Sequence, residues 1–299
     1  MSIASFKKMM SDAEKGKYAV GYFESWNMES LQAVADAAET THSPVILGFS
    51  GIYLYHPRRV VMEHLSSYAK LGNDVCQQIS VPSCLIFNES PNIDHVMQAI
   101  DLDFGIVMFA DDTLGYEDQI KCVSKVVEKA HELSIAVEGE VSAPPGVDGE
   151  LSSIPDDMNF TDPESARIFV DRTGVDALAV NVGQAHLHGR SEVHLNLPRL
   201  MELRDVVPVP LVLHGASSIC RADLQEAIRI GVSKINVGSV LKKSYIEAVR
   251  CACAGIGKDY NPYEVIGSGM DSDILVAGRL ALQKTVEDLM HLFGSSGKA

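Results

Sequence analysis

No Cys-x-x-Cys pair occurs in these 299 residues, and the six cysteines (Cys76, Cys84, Cys122, Cys220, Cys251, Cys253) are scattered along the chain. That excludes a disulfide scaffold and points to reduced thiols in a cytoplasmic protein. No apolar run reaches membrane-spanning length, and Met1 to Lys8 has no apolar signal core, so no membrane partner is expected. Positive charge is scarce. Lys and Arg number 25 against 40 Asp and Glu, a net charge of −15, which argues against nucleic acid or an anionic lipid surface as the main partner. No Gly-x-Gly-x-x-Gly follows the first strand, so the usual mark of an open dinucleotide-binding sheet is missing. The sequence does have a large stock of core residues, 46% hydrophobic, enough to exclude disorder.

Those residues fall into short apolar runs separated by helical patterns. Strands are expected at Tyr18–Phe23, Pro44–Phe49, Ser83–Phe87, Gly105–Phe109, Ala136–Val141, Ala177–Val182, Leu211–Leu213 and Lys234–Val237. Helices are expected between them, among them Met28 to Glu39, about Arg58 to Gln78, one opened by Pro91 and one capped by Asp162. Ser142 to Asn159, with its prolines and glycines, reads as a long loop of the kind that often serves as a lid. Eight strand–helix alternations without a linker predict an α/β fold, a (β/α)8 TIM barrel forming a single domain over residues 1–299. An extra C-terminal helix, Ile274 to Phe293, is expected to pack outside the barrel or at a subunit interface.

The polar residues are unevenly placed. Glu24, Asn88, Glu89, Asp111, Asp112, Glu140, His186, His188, His214 and Asn236 fall at or just past the carboxyl ends of strands. In a barrel these ends converge on the face where active sites are built. Histidines and carboxylates meeting there suggest a divalent metal, although Asp111 and Asp112 serve equally well as helix caps. Glu138 and Glu140, two apart on one strand, share a face, and two buried carboxylates need a pairing partner or a metal. Small residues after strands seven and eight, with free backbone N–H groups, form a candidate phosphate seat.

Together these stretches resemble the class II, metal-dependent fructose- and tagatose-bisphosphate aldolases. The resemblance rests on Tyr18–Phe23, Ser43–Ile46, Ala130-His131 with Val137–Glu140, Asp176–Val180, Leu211–Ser217 and Lys234–Ser239, and runs over nearly the whole chain. It implies zinc or another divalent ion, room for a monovalent cation, a homodimer or homotetramer, and a ketose phosphate substrate cleaved through an enediolate. Carried over by residue, it implies His186 and His214 as metal ligands and Glu140 as an alternative one. It implies a substrate and phosphate cradle of Leu187, Gly215, Ser217, Asn236, Gly238 and Ser239, with Lys242 for a second phosphate.

The pattern breaks at strand three, where the family has His-Leu-Asp-His-Gly and this chain has Ile86-Phe87-Asn88-Glu89-Ser90. Asn88 can orient a hydroxyl but cannot take its proton, while Glu89 can complete a set of two His and one carboxylate. Three readings follow. The first is a metal-dependent aldolase or lyase with altered substrate or proton relay, Glu24 or Glu140 replacing the missing acid/base, with Glu24 favoured because a carboxylate stands there where the family keeps a neutral amide. The second is a ketose phosphate epimerase, and the third a non-catalytic sugar-phosphate-binding or partner subunit.

Overall fold

The computed structural model describes residues 3–145, 159–185 and 192–299. Eight parallel strands pair in sequence order and close on themselves, β1 beside β8. They are β1 (Val20–Glu24), β2 (Val45–Ser50), β3 (Ser83–Ser90), β4 (Ile106–Phe109), β5 (Ala136–Glu140), β6 (Ala177–Ala179), β7 (Leu211–Leu213) and β8 (Val232–Val237). Around them run α1 (Phe6–Gly16), α2 (Met28–Thr41), α3 (Gly51–Leu54), α4 (Leu65–Gln78), α5 (Ile93–Asp101) and α6 (Tyr116–Glu132). Later come α7 (Pro163–Thr173), α8 (Leu197–Val206), α9 (Arg221–Ile230), α10 (Ser239–Ala254), α11 (Pro262–Val265) and α12 (Ile274–Leu292). This is the expected (β/α)8 barrel.

The period of two along each strand divides the core. Phe23, Leu47, Phe49, Leu85, Phe87 and Val107 face outward and pack under the helices. Val20, Tyr22, Ile46, Ile86, Ile106 and Val212 face inward, where Phe6, Met9, Met10 and Ala13 of α1 join them. Following the inward rows to their carboxyl ends gives Glu24, Ser50, Asn88, Glu140, His214 and Asn236, all buried. The apolar lower layers thus lift a polar layer to the mouth.

Several boundaries differ from expectation. The helix expected from Arg58 begins at Leu65; Val60 to Met62 are exposed and have no core to pack a helical face against. Pro91 does not open α5. Asn92 caps it instead, its side chain accepting from the Asp94 N–H. Strand six stops at Ala179, because the Asn181 N–H turns to the Thr161 hydroxyl at 2.8 Å. Asp162 caps α7 as expected, through the Ser165 N–H. The loop expected at 142–159 falls mostly outside the described residues.

The extra helix α12 lies outside the barrel against α2 and α10. Arg279 reaches Asp36 Oδ2 at 2.6 and 2.8 Å, and Phe293 stacks on Phe23 with ring centroids 6.2 Å apart. No helix among the described residues is long and apolar enough to cross a membrane.

Candidate active site

Strand three carries the first departure from regular geometry. Adjacent residues on a strand point to opposite faces, so Asn88 and Glu89 should not both serve the interior. The register against β4 shifts between Phe87 and Ser90, and Glu89 adopts a left-handed φ of 50°. Both side chains therefore reach the mouth. Glu89 Oε1 lies 2.7 Å from His214 Nδ1, and Asn88 Oδ1 accepts from Asn236 Nδ2 at 3.4 Å.

His214, 2% exposed, is gripped from both ring nitrogens. Its Nε2 lies 2.9 Å from Glu138 Oε1 and 2.9 Å from Asn236 Nδ2, and its Nδ1 is 3.9 Å from Glu140 Oε1. Burial opposes a charged ring, but hydrogen bonds to Glu138 and Glu89 outweigh it and raise the imidazole to about 10. Beneath it, Lys234 Nζ forms an ion pair with Glu138 Oε2 at 2.7 Å and donates to Asn236 Oδ1, both residues of the pair fully buried. Burial alone would raise Glu138, yet Lys234 and His214 hold it at about 2. Sequence reasoning missed Lys234. The available signal was its parity with Asn236 on one strand, which commits it to the barrel interior, where an ammonium requires a carboxylate.

Glu140 has a different environment. No hydrogen-bond donor among the described residues reaches its buried Oε1, and burial, reinforced by Glu89 and Glu138, raises it to about 7 despite His214. Glu140 Oε1 lies 3.9 Å from His214 Nδ1, which itself meets Glu89 Oε1 at 2.7 Å, so carboxylate oxygens and an imidazole nitrogen of the types a divalent cation takes gather here. By donor type Glu89 and His214 fit two positions of such a site. His186, the further expected ligand, lies outside the described residues with Leu187 and His188.

The candidate phosphate residues also converge. Gly215 takes φ 65° and turns the chain from β7 into a 3-10 turn, Ala216–Ser218; Ser217 Oγ accepts from the Val240 N–H at 3.3 Å. Gly238 leads directly into α10. A cavity of about 500 Å³ is lined by Gly215, Ser217, Gly238, Ser239 and Lys242 on one side and by Asn88, Glu89, His214 and Asn236 on the other. Tyr22 and Tyr53 also line it, the buried Tyr22 hydroxyl having no hydrogen-bond partner among the described residues. Glu24 lies at its edge, 2.6 Å from Lys242 Nζ. Burial raises the Glu24 carboxyl, with Lys242 pulling the other way.

Other candidates have local duties. Asp111 Oδ1 accepts from the Thr113 N–H and hydroxyl at 3.0 and 2.6 Å, closing a turn. His131 Nε2 meets Asp176 Oδ2 at 2.9 Å, and Asp176 also takes the Val137 N–H, fastening α6 to the entry of β5 and β6. His194, Cys220 and Asp223 form a compact group able to hold a metal. None of the three lines the cavity, and the Asp223 bonds to His194 Nδ1 and the Leu195 N–H tie the segment before α8 to α9.

Known proteins agree with this architecture. The family model described as fructose-bisphosphate aldolase class-II matches residues 4–298. The fructose-bisphosphate aldolase of Geobacillus stearothermophilus is 34% identical over 302 residues, covering 100% of this chain and 99% of that protein. That of Thermus caldophilus is 30% identical over 315 residues, covering 98% of each. Among solved structures, the YdjI aldolase from Escherichia coli K12 superposes with a TM-score of 0.80 at 28% identity, over 99% of both chains. This chain belongs to the class II fructose-bisphosphate aldolase family, whose members are aldolase lyases of phosphorylated ketoses.

Proposed function

We propose that this chain is a divalent-metal-dependent aldolase acting on a phosphorylated ketose, with Glu140 in the proton-transfer role that Asn88 cannot fill. The observation that carries this reading is the donor-free Glu140 oxygen beside Glu89 and His214, behind a cavity rimmed by small residues that can cradle phosphate. Of the two carboxylates weighed as acid/base, Glu24 is engaged by Lys242, whereas Glu140 Oε1 meets no donor among the described residues. A carboxyl raised to about 7 is also matched to proton transfer near neutral pH.

Glu89, His214 and His186 would hold a divalent ion, zinc in this proposal, which would supply Lewis-acid polarisation of the substrate carbonyl. The remaining work falls to the protein. N–H groups around Gly215, Ser217, Gly238 and Ser239 hold the phosphate at one end, helped by the positive end of the α10 dipole. Asn236, its amide oriented by Lys234, and Asn88 position the substrate hydroxyls. In the cleavage direction a proton leaves the hydroxyl beside the breaking carbon–carbon bond, and that bond's electrons remain on the carbon next to the carbonyl. The aldehyde departs, and the carbon takes up a proton. Glu140 carries protons at this centre.

The test is solvent deuterium entering dihydroxyacetone phosphate, followed by NMR with and without chelator. Chelator-sensitive exchange, slowed about 100-fold or more in Glu140→Gln, is expected. No exchange in metal-loaded protein overturns the reading; exchange without aldol cleavage of any ketose phosphate points to epimerisation. We also propose a cytoplasmic homodimer or homotetramer with room for a monovalent cation. Light scattering giving the 32.4 kDa mass of one chain rejects the oligomer, and metal-loaded turnover indifferent to potassium and sodium rejects the cation.

A further inference from the structure

Lys242, which the family resemblance assigns to a second phosphate, is already neutralised within the chain. Glu24, at the end of β1, places Oε1 2.6 Å from Lys242 Nζ. The ammonium is further committed to the Tyr53 ring, 3.7 Å from its centroid, and lies 5.9 Å from that of Trp26. The register holds this arrangement. Tyr22 pairs with Asn236 and Phe23 with Val237, which brings Glu24 alongside Gly238. A Cβ on Gly238 would collide with Glu24 Oε2, so the glycine leaves the space this carboxylate fills.

A phosphate dianion arriving at Lys242 would have to break that pair. It would strand Glu24, 8% exposed, on a wall that also carries the Glu89 carboxylate. Stranding a buried charge is strongly unfavourable, and like charges set side by side reject a ligand as effectively as contacts attract one. Lys243, the other lysine at this edge, is exposed and water-screened. The Glu24–Lys242 pair instead presents an acceptor and donors with no net charge, a surface suited to hydroxyl groups.

From this we infer that the site takes ketose monophosphates: the phosphate occupies the seat around Gly215 and Gly238, and the far, aldehyde-forming end of the sugar is uncharged and hydroxylated, selected by Glu24 through its hold on Lys242. The inference rests on the phosphorylated-ketose reading above and adds which end is charged.

Titration calorimetry of the metal-loaded full chain with fructose 1-phosphate and fructose 1,6-bisphosphate tests it. The wild type is expected to bind the monophosphate at least as tightly as the bisphosphate. Glu24→Gln, and Glu24→Asn as a shorter neutral replacement, are expected to shift the affinity ratio about tenfold or more toward the bisphosphate. A wild type that prefers the bisphosphate tenfold overturns the inference even should neither variant fold. So does an unchanged ratio in folded variants that bind both ligands, and the aldolase reading then stands. Binding of neither sugar phosphate by the wild type overturns both.

Discussion

Replacing Lys234 by Met leaves the fully buried Glu138 carboxylate with His214 as its remaining charged partner. Removing one member of a buried pair costs about 3–5 kcal/mol. Urea unfolding of Lys234→Met is expected to show a loss of that order, and Lys234→Met with Glu138→Gln to recover much of it. If the double variant is as unstable as the single one, the pair is not what the lysine serves. The shared face of Glu138 and Glu140 was legible in their spacing, because strand periodicity needs no partner. The lysine paired with Glu138 was not, because its carboxylate is 96 positions away and only barrel closure brings the two together. Asn88 and Glu89 show the opposite difficulty. Both were singled out by type, yet period two would have sent one of them outward, and no residue pattern announced the backbone turn that keeps both inside.

At the scale of elements, the apolar runs located every strand to within a few residues, because a parallel strand buried on both sides has no other composition open to it. Helix starts were read well where an Asp or Asn stands directly before the apolar period, as at Asn27, Asp162 and Asp273, and missed by a residue or two where Asn92 rather than Pro91 sets the start. Asp273 is such a cap for α12: it accepts from Leu275 N–H at 2.9 Å and from Gly269 N–H at 3.0 Å. Burial works to raise its carboxyl, but hydrogen bonds from the Gly269, Leu275 and Ser268 N–H groups prevail and hold it below the ordinary value. Asp273→Ala is expected to cost about 1 kcal/mol. Because the folded value is the lower one, the contribution is full above the unfolded value of about 3.9. It fades as pH falls through the folded value. Chemical unfolding at pH 7 and at pH 3 measures this. A difference between wild type and variant that grows toward pH 3 contradicts the assignment.

For the whole molecule, the expected ion would act on the fold by mass action. It would bind the closed barrel, in which β3 and the end of β7 bring Glu89 and His214 together, and would find no such site on the open chain. At one hundred times its dissociation constant it stabilises by about 2.7 kcal/mol. The melting temperature is therefore expected to rise with added zinc or another divalent ion and to fall with chelator. A melting curve indifferent to every divalent ion removes the metal from the proposal without touching the barrel. The architecture was readable from alternation alone; residues 186–191, with the expected His186 and Leu187, lie outside the described residues. Glu89 itself carries a wider consequence. The other non-glycine residues with left-handed backbone among those described, Lys17, His42, Asp103 and Ser134, sit at or just past helix ends, where that twist closes the helix. Glu89 has no helix to close, and its twist costs on the order of 1 kcal/mol. A lineage released from catalysis could shed that tension by accepting glycine or asparagine there. The residue a sister sequence carries at this one position then records, before any assay, whether its barrel mouth is still in use.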